Sequence, residues 1–472
     1  MGSSAKTWRY WVMGGNWPEV TLEDVADEIT VGYVGAMTSE YVATGIPFLR
    51  SKNVEPLRVN TGDLKFISPK FHQKIRKSRL SPGDVVIVRT GKPGSCSVIP
   101  NWLEDANCSD LVVVRCGKEI NNRFLAYYVN TAAVAHVSAH LVGAVQQHFN
   151  VGSARTMSIR LPSLPEQKAI SHMLGGLDDR IELNRQMNEP LESMAQTLFK
   201  SWFVDFDPVI DNALASGKEI PEELREKAQA RAALGDKRQP LPAEIRSLFP
   251  DEFVYSDELG WIPEGWEVMK AEEAATIAIG KTPPRKQLQW FSEELEGNII
   301  WVSIRDLGKN GVFIGNSREY LTPESIQKFN IKKVPKGSVL LSFKLTVGRV
   351  AIAQADLTTN EAIAHFVKPG FGLTKEYIYC YLTNFDFSSL GSTSSIATAV
   401  NSKIIKAMPF LIPQEPVLMK FKEVSEQWFQ KLSLVARQNK SLINLRDTLL
   451  PKLLSGELRI PDAEKMVEEL AL

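Results

Sequence analysis

The sequence predicts an α+β fold in which two repeated β-rich domains are separated by two long antiparallel helices that form a coiled coil. Three observations predict it. Two stretches of about 35–40 residues repeat apolar side chains every three or four positions, each follows about 150 residues of strand-like sequence, and short motifs recur in order about 250 residues apart. A chain of 472 residues is long enough for such a duplicated pair.

The first long helix is predicted within 161–202. Its seam alternates steps of four and three and consists of Ile170, Leu174, Leu177, Ile181, Asn184, Asn188, Leu191, Ala195, Leu198 and Trp202. This spacing suits a coiled-coil seam better than the face of a globular helix. Pro162 and Pro165 end the preceding extended chain, and Glu166 follows in the first turn, where the helix dipole favours an acid.

The second long helix is predicted near the C-terminus. Its seam is interrupted once, at Arg446, and consists of Phe421, Ser425, Trp428, Leu432, Val435, Asn439, Leu442, Leu449 and Leu453. Two long apolar seams in one chain would pack on each other most simply as antiparallel helices and hold the two domains at a fixed distance. The alternative is two ordinary core helices, which are usually only three to four turns long.

Five motif pairs indicate an internal duplication. In order, WPEV at 17–20 matches WEV at 266–268, IPFLR at 46–50 matches WVSIR at 301–305, PGDV at 82–85 matches KGSV at 336–339, NCSDL at 107–111 matches NEAIA at 360–364, and FLAYY at 124–128 matches YIYCY at 377–381. We therefore predict a first domain at 1–162, a helical spacer at 163–204, a connector at 205–260, a second domain at 261–412, a second spacer at 413–460 and a tail at 461–472.

Composition favours a cytoplasmic protein with no membrane segment. No apolar run approaches the length of a membrane span, and the first 15 residues contain no continuous apolar stretch of the signal-peptide kind. The four cysteines, at positions 96, 108, 116 and 380, form no CxxC pair, so a disulfide or zinc framework is not expected. The net charge is zero, but the connector holds thirteen acidic and seven basic residues, which leaves the rest of the chain basic.

Basic residues cluster at corresponding places in the two domains. The 65–92 segment contains eight Lys and Arg residues and one acid, Asp84, and the 328–349 segment contains six and no acid. A charge run is commonly a solvated face, but two runs that each lead into a strand and a glycine-containing turn favour nucleic acid. Arg and Lys would contact phosphates, and Gln and Asn would read base edges.

The predicted DNA-binding residues lie in matched loops. In the first domain they follow the strands at Ile46–Leu49 and Val85–Val88 or form a polar patch before the long helix, and they are Arg50, Ser51, Lys52, Asn53, Arg89, Thr90, Lys92, Gln146, Gln147 and His148. In the second domain the corresponding residues are Arg305, Asp306, Lys344, Thr346, Arg349, Ser394 and Ser395. For each of them the alternative is a surface or turn role, and Arg50 and Arg305 could instead be structural.

Catalytic motifs are incomplete throughout the sequence. The Gly-Lys-Thr at 280–282 is followed by two prolines that block the helix a phosphate loop requires. His136 and His140 lack the glutamate of a zinc-protease motif, because position 137 is valine. The acids Asp178, Asp179 and Glu182 point in different directions on a helix, and no adenine-methyltransferase motif occurs. The sequence therefore predicts binding rather than catalysis, and no catalytic or metal-ligating residue.

Several long motifs resemble the DNA-specificity subunit of Type I restriction–modification systems. They are LPEQKAI at 164–170, LDDRIELN at 177–184, AQTLFKSWFVDFDPV at 195–209, LFP at 248–250, ELGWIPEGW at 258–266 and LRDTLLPKLLSGEL at 445–458. Together they extend over nearly the whole chain. Pro190 departs from the pattern, since the family usually has a small or polar residue there, and it predicts a local kink.

The resemblance implies that each β-rich domain is a target recognition domain that reads one half of a split site in double-stranded DNA. The helices would set the gap between the halves and dock two adenine-N6 methyltransferase subunits, and restriction/translocase subunits would join that core. S-adenosylmethionine, Mg²⁺ and ATP would belong to those partners, with no cofactor in this chain. The competing hypotheses are a coiled-coil scaffold and a self-contained DNA-modifying enzyme.

A partner-binding surface is predicted at the end of the first long helix. Four aromatic residues there exceed what one coiled-coil seam needs, and extra exposed apolar surface often marks an interface. They are Phe199, Trp202, Phe203 and Phe206. The alternative is that they pack as a core under a recognition domain.

Overall fold

The computed structural model describes residues 17–141, 149–235, 241–308, 311–390 and 400–470, and the chain divides into two compact units. Unit 1 comprises Met1–Leu183 and Asn439–Leu472, and unit 2 comprises Asn184–Gln438. Each long helix therefore contributes one part to each unit. None of the helices within the described ranges is long and apolar enough to cross a bilayer.

Unit 1 contains one antiparallel sheet and one mixed sheet, together with two strand pairs. Its strands are β1 (Glu19–Thr21), β2 (Ala26–Val31), β3 (Tyr41–Val42), β4 (Ile46–Leu49), β5 (Val54–Glu55), β6 (Arg58–Val59), β7 (Lys65–Ile67), β8 (Arg79–Leu80), β9 (Val85–Val88), β10 (Cys96–Val98), β11 (Ala106–Cys108), β12 (Leu111–Cys116) and β13 (Ser158–Arg160). One sheet has the order β10-β9-β12-β2 and the other the order β3-β7-β4-β11-β8, while β1 pairs with β13 and β5 with β6. Strand β9 is apolar at every position because both of its faces are buried.

The helices of unit 1 are mostly short and capped. Those in its N-terminal part are α1 (Leu22–Val25), α2 (Pro69–Lys74), α3 (Asn122–Thr131), α4 (Val134–Ala139), α5 (Val151–Arg155) and the first part of α6 (Leu164–Phe203). The Asn121 side chain accepts a hydrogen bond from the Phe124 amide at 3.0 Å and so caps α3. Single 3-10 turns occur at Ser51–Asn53 and Arg76–Ser78.

Unit 2 repeats this arrangement. Its strands are β14 (Phe253–Ser256), β15 (Gly260–Pro263), β16 (Glu267–Lys270), β17 (Ala275–Ile279), β18 (Phe291–Ser292), β19 (Ile299–Val302), β20 (Phe313–Ile314), β21 (Glu319–Leu321), β22 (Val339–Ser342), β23 (Val350–Ala353), β24 (Thr358–Thr359), β25 (Ile363–Pro369) and β26 (Pro409–Ile412). The sheets have the orders β17-β25-β22-β23-β20 and β18-β21-β19-β24, and β16 pairs with β26.

The helices after α6 complete both units. They are α7 (Asp207–Ser216), α8 (Arg225–Ala233), α9 (Ala243–Arg246), α10 (Ala271–Ala274), α11 (Ile304–Leu307), α12 (Pro323–Lys328), α13 (Lys375–Asn384), α14 (Ser402–Ala407), α15 (Glu415–Ser455) and α16 (Ile460–Leu470). The connector therefore carries helices of its own, and Arg231 forms a bidentate ion pair with Asp211 in it. The predicted tail forms most of α16, in which Ala463 is buried in the unit 1 core.

The strand orders confirm the predicted duplication. Read from β2 and from β17, the first sheets run β2-β12-β9-β10 and β17-β25-β22-β23, and the second sheets begin β3-β7-β4-β11 and β18-β21-β19-β24. In each second sheet one pair is parallel, β4 with β11 and β19 with β24. A single strand order of this complexity would rarely arise twice independently, so the whole β-rich domain is repeated.

The long helices follow the predicted seams. In unit 1, Ile170, Leu174 and Leu177 are buried in one core with Leu449 and Leu453 of α15. In unit 2, Ala195 and Trp202 share a core with residues near the start of α15, including Phe421 and Leu432. Early α6 thus meets late α15 and late α6 meets early α15, which confirms the antiparallel prediction. Helix α6 continues through Pro190.

The predicted exposure of the four aromatic residues at the end of α6 is wrong. Phe199, Trp202, Phe203 and Phe206 are buried in the core of unit 2. Phe199 packs edge-on against Tyr377 of α13 at 5.2 Å between ring centroids, and Phe203 packs in the same way at 5.1 Å. Core packing under the β-rich domain, the alternative stated above, accounts for these side chains, and they offer no surface for a partner.

Unit 2 is expected to lose stability when the pH falls below about 6.5. His365 on β25 is 1% exposed, and burial lowers its pKa to about 4. Between the two values the unfolded chain binds a proton that the folded chain does not, so the free energy of unfolding falls by about 3 kcal/mol as the pH drops from 6.5 to 4. Urea unfolding at pH 7 and pH 4.5 measures this loss.

The variant H365Q tests the cause. It is expected to lower stability at pH 7 and to reduce the difference between the two pH values, whereas H172Q, at an exposed position of α6, should behave like the parent. An unchanged pH difference in H365Q would assign the effect to another group.

Candidate nucleic-acid interface

In unit 1, four loops meet at one end of the sheets, which we call the loop end: 50–53, 76–78, 89–95 and 109–110. The Ser109 amide donates to the Leu49 carbonyl at 3.0 Å, which joins the loops that follow the parallel strands β4 and β11. Arg89 forms an ion pair with Asp110, which attaches the β9–β10 hairpin loop. The Cys108 thiol lies 3.6 Å from the Ser78 carbonyl, which places the basic 76–78 turn at the same end.

The loop end of unit 2 is built in the same way from 303–308, 332–334, 343–349 and 360–362. The Asn360 amide donates to the Val302 carbonyl at 3.0 Å, the counterpart of the Ser109 contact. Arg349 donates to the Ile304 carbonyl at 2.8 Å and so ties the β22–β23 hairpin loop to α11. The sequence-predicted loops are therefore brought together in both units.

The structure shifts the predicted alignment of the first loop by two residues. The Arg50 amide donates to the Asn53 side chain at 3.0 Å, and the Ser303 amide donates to Asp306 at 2.9 Å in the same capping geometry. Arg50 therefore corresponds to Ser303, and Lys52 corresponds to Arg305. Both Lys52 and Arg305 are exposed, so an exposed cation occupies this position in each unit.

Two predicted DNA contacts in the first loops are corrected. Asn53 is fully buried, and its amide nitrogen donates to the carbonyls of Asn60 and Gly62 at 3.0 and 3.3 Å. Asp306 is 7% exposed and caps α11. Their polar atoms stabilise the loops, because a buried polar group must be paired within the protein. Neither side chain is free to read a base.

Arg50 is held by its own unit. Its guanidinium donates to the Asp63 carboxylate at 3.0 Å and to the Asp63 carbonyl. Lys65 and Arg50, in that order of strength, lower the pKa of Asp63 to about 2, so the ion pair persists throughout the neutral range. The structural alternative given for Arg50 is thus supported. Ser51, next to it, is half-buried.

The β9–β10 hairpin loop separates anchoring residues from exposed ones. Arg89 donates to the Phe149 carbonyl at 3.0 Å and pairs with Asp110, and Thr90 donates to the same carboxylate at 3.1 Å. Lys92 is exposed at the turn. Within this loop, Lys92 is the predicted residue best placed to reach a phosphate.

The β22–β23 hairpin loop is organised in the same way. Lys344 and Thr346 are exposed, and Arg349 is half-buried against α11. Gln146, Gln147, His148, Ser394 and Ser395 lie outside the described residues.

The basic runs contribute exposed cations around the loop ends. In unit 1 these are Lys70, Lys74, Arg76, Lys77 and Arg79. In unit 2 they are Lys328, Lys332, Lys333 and Lys336. Since Ser78 contacts Cys108 and Val334 pairs with Leu357, both runs approach the strands that end at the loops. Each loop end thus combines exposed positive charge with rigid anchored loops.

The Gly-Lys-Thr turn at 280–282 is a packing feature. A Cβ atom on Gly280 would lie 2.1 Å from the Thr359 hydroxyl, and the Lys281 ammonium donates to the Phe329 carbonyl at 2.7 Å. The glycine therefore permits close approach of two chain segments, and the lysine is bound within unit 2. No cluster of three potential metal ligands occurs among the described residues.

Sequence reasoning missed one exposed residue at the loop end of unit 2. Leu345 forms the tip of the β22–β23 hairpin loop and is 99% exposed. The pattern gave no signal for it, because a single leucine beside a strand is ordinarily part of the core. Only the hairpin register, which aligns Leu345 with Gly91 of unit 1, reveals its position.

Comparison with known proteins gives consistent matches. A model of the Type I restriction modification DNA specificity domain matches residues 15–193 and 263–417. The chain is 29% identical over 327 residues to the Type I restriction enzyme HindI specificity subunit of Haemophilus influenzae, covering 65% of this chain and 70% of that protein. It is 24% identical over 457 residues to the Type I restriction enzyme MjaIX specificity subunit of Methanocaldococcus jannaschii, covering 95% and 94%.

A solved structure shows the same fold. The S subunit of a Type I restriction-modification system from M. genitalium matches with a TM-score of 0.51 over 93% of this chain and 96% of that one. Its sequence identity is 13%, so this likeness bears on the fold alone. The two family-model matches cover most of the chain and fall on the two repeats. The chain belongs to the Type I restriction modification DNA specificity family and is a non-catalytic specificity subunit of such a system.

Proposed function

We propose that each loop end reads one half of a bipartite target in double-stranded DNA. One observation carries this proposal: the two units share the same loop framework but present different exposed side chains on it. Lys52 corresponds to Arg305, and the hairpin tip residues Gly91 and Lys92 correspond to Leu345 and Thr346. A common framework with different side chains is what two readers of different half-sites require.

The exposed lysines and arginines at each loop end would contact phosphates and fix the position of the unit on the duplex. Phosphate contacts carry no sequence information, so base readout would fall to the loop tips. In the loops that follow β4 and β19, Lys52 and Arg305 are exposed and carry donors suited to guanine. The anchored residues Arg50, Arg89 and Arg349 would hold the loops in place and make no base contact.

Membership of the family supports a proposal for the partners and cofactors. Two methyltransferase subunits would dock on the helical part of this chain, and restriction/translocase subunits would join them. The methyl donor S-adenosylmethionine would belong to the methyltransferases, and ATP and Mg²⁺ to the translocase. Since Phe199 and its aromatic neighbours are buried, exposed apolar residues such as Met187 and Met194, seven residues apart on α6, are better candidates for the docking face.

Methylation sequencing tests the proposed function. DNA from cells that carry this chain with its methyltransferase is compared with DNA from cells that lack the chain. We expect a split motif of two short half-sites, with adenine methylated on opposite strands, that disappears on deletion. Methylation that is unchanged by deletion would contradict the proposal and favour a coiled-coil scaffold.

The gap between the half-sites is expected to follow the length of the helices. Inserting one heptad after Leu183 in α6 and one after Gln438 in α15 preserves both seams and lengthens each helix by about 10 Å. At about 3.4 Å per base pair, the gap should grow by about three base pairs while both half-sites stay the same. Methylation sequencing reads the new motif directly.

A matched insertion provides the control. The same seven residues placed after Gly217, in the exposed turn that follows α7, should leave the gap unchanged. A helix insertion that alters a half-site but keeps the old gap would contradict the proposal that the helices set the spacing.

A further inference from the structure

The tip of the β22–β23 hairpin loop carries an aliphatic side chain that contacts nothing in unit 2. Leu345 is 99% exposed, the highest value among the exposed large apolar residues of the described chain. Its neighbours Lys344 and Thr346 are also exposed. A leucine in this position contributes no hydrophobic stabilisation on folding, because its side chain stays as exposed to water as in the unfolded chain.

The backbone at Leu345 is also unfavourable for leucine. Its φ is 61°, in the left-handed region, and the Thr346 amide donates to the Lys344 carbonyl at 2.6 Å across it, as in a γ-turn. The corresponding residue of unit 1 is Gly91, with φ of 84° and open space around it. Glycine adopts this conformation without steric cost, whereas leucine does not. Neither burial nor backbone preference therefore explains the leucine.

The loop presents this side chain rigidly. The buried Ser342 side chain donates to the Thr346 carbonyl at 2.6 Å and accepts from the Arg349 amide at 3.0 Å. The Gly348 amide donates to the Ser342 carbonyl at 3.0 Å, and Arg349 is bound to the Ile304 carbonyl. Both sides of the loop are thus fixed to the sheet and to α11. A fixed tip loses little conformational entropy when it binds a ligand.

We infer that Leu345 makes an apolar contact with the 5-methyl group of a thymine in the second half-site. The inference rests on the proposed function. The major groove of DNA admits a two-stranded β-ribbon and presents the thymine methyl group as its only apolar base feature. Lys344 beside the tip supplies a cation for the adjacent phosphate. Unit 1, with Gly91 and Lys92 at the corresponding positions, makes no equivalent contact.

Single thymine-to-deoxyuridine replacements test the inference, because they remove one methyl group and keep every base pair. The full chain with its methyltransferase is bound to duplexes that carry the methylated motif, each with one such replacement. Burial of one methyl group corresponds to an affinity change of about four-fold. With the parent protein, we expect the replacement at one position of one half-site to lower affinity by this factor. L345G is expected to bind the duplex with deoxyuridine at that position and the duplex with thymine there equally.

F371G is the matched control. Phe371 is likewise an exposed apolar residue with positive φ, at 57% exposure and 54°, but it follows the far end of β25, away from the hairpin loop. F371G should keep the parent's deoxyuridine profile. The melting temperature of L345G should equal or exceed that of the parent, because glycine adopts the positive φ of this position without steric strain. Such a melting temperature would exclude unfolding as the cause of a change in binding.

The outcomes separate the two proposals. A parent protein that prefers no split motif over random DNA would overturn the proposed function and this inference with it. A parent that binds specifically while L345G retains the same deoxyuridine-sensitive position would overturn the inference alone. An L345G variant whose affinity falls equally for every duplex would also overturn the inference. That result would indicate that Leu345 inserts between base pairs or contacts the DNA in a way that does not depend on the thymine methyl group.

Discussion

Replacing Trp202 with alanine is expected to destabilise unit 2 by about 3–5 kcal/mol. Trp202 is 2% exposed and packs edge-on against Phe249 at 5.1 Å between ring centroids. It also lies against Phe203 and Phe421, so its removal leaves a cavity between α6, the connector and α15. Surrounding rings can close such a cavity only in part, which is why the loss exceeds the transfer free energy of the side chain.

Peptide-resolved hydrogen exchange measures this effect where it arises. Amides of α13 and β25 in unit 2 should exchange faster in W202A, while amides of β9 and β12 in unit 1 keep their protection. M194A is the control, since Met194 lies on the same helix but is 49% exposed, and its loss should be within about 0.5 kcal/mol. If W202A instead exchanged its amide hydrogens at the rates of the parent protein and failed to bind the methyltransferase, Trp202 would be a partner-binding residue after all.

Replacing Asp178 with alanine is expected to destabilise unit 1 by about 3 kcal/mol. One oxygen of Asp178 accepts from the Arg446 guanidinium at 2.8 Å and the other from the Tyr127 hydroxyl at 2.5 Å. Burial and the carboxylate raise the pKa of Tyr127, so it remains a donor. Both members of the ion pair are only about one-fifth exposed. Without Asp178 the buried Tyr127 hydroxyl loses its acceptor, and Arg446 keeps Asp447, which is 56% exposed, as an ion-pair partner.

The neighbouring acid gives a matched control. Asp179 is 68% exposed and lies 3.5 Å from Arg123, so D179A should cost less than about 1 kcal/mol. Replacing all three groups, as in Y127F/D178L/R446L, should recover most of the lost stability, because an apolar cluster often matches a buried ion pair. Urea unfolding of the parent, D178A, D179A and Y127F/D178L/R446L measures these differences in the free energy of unfolding. Equal effects of D178A and D179A would contradict a special role for the pair.

Arg446 illustrates both the reach and the limit of the sequence pattern. The heptad spacing located the seam of α15 and marked Arg446 as its one interruption. It could not find the partner, because Asp178 lies 268 positions away in the chain and looks like one of several acids on a solvated helix. Packing decides which of three neighbouring acids faces the seam, and linear spacing does not contain that information.

The candidate interface shows the same division. The duplication and the basic runs predicted which loops belong together, and the strand orders place them at one end of each unit. The roles within the loops were not predictable. Asn53 and Arg50 have the donors of a base reader, but hydrogen bonds to residues 7–13 positions later use those donors within unit 1. An amide or guanidinium group can donate hydrogen bonds to a DNA base or to an acceptor within the protein, and the tertiary contacts decide which of the two it does.

The sequence by itself determined the α+β class, the duplication, both long helices and the family, because apolar periodicity and repeated motifs are local properties that survive in linear form. Tertiary structure alone decided that Trp202 and its neighbours are core rather than surface, that Lys52 rather than Arg50 corresponds to Arg305, and that Leu345 stands exposed at a hairpin tip. Exposure and register are properties of packed neighbours from distant parts of the chain, and no local pattern encodes which of them meet.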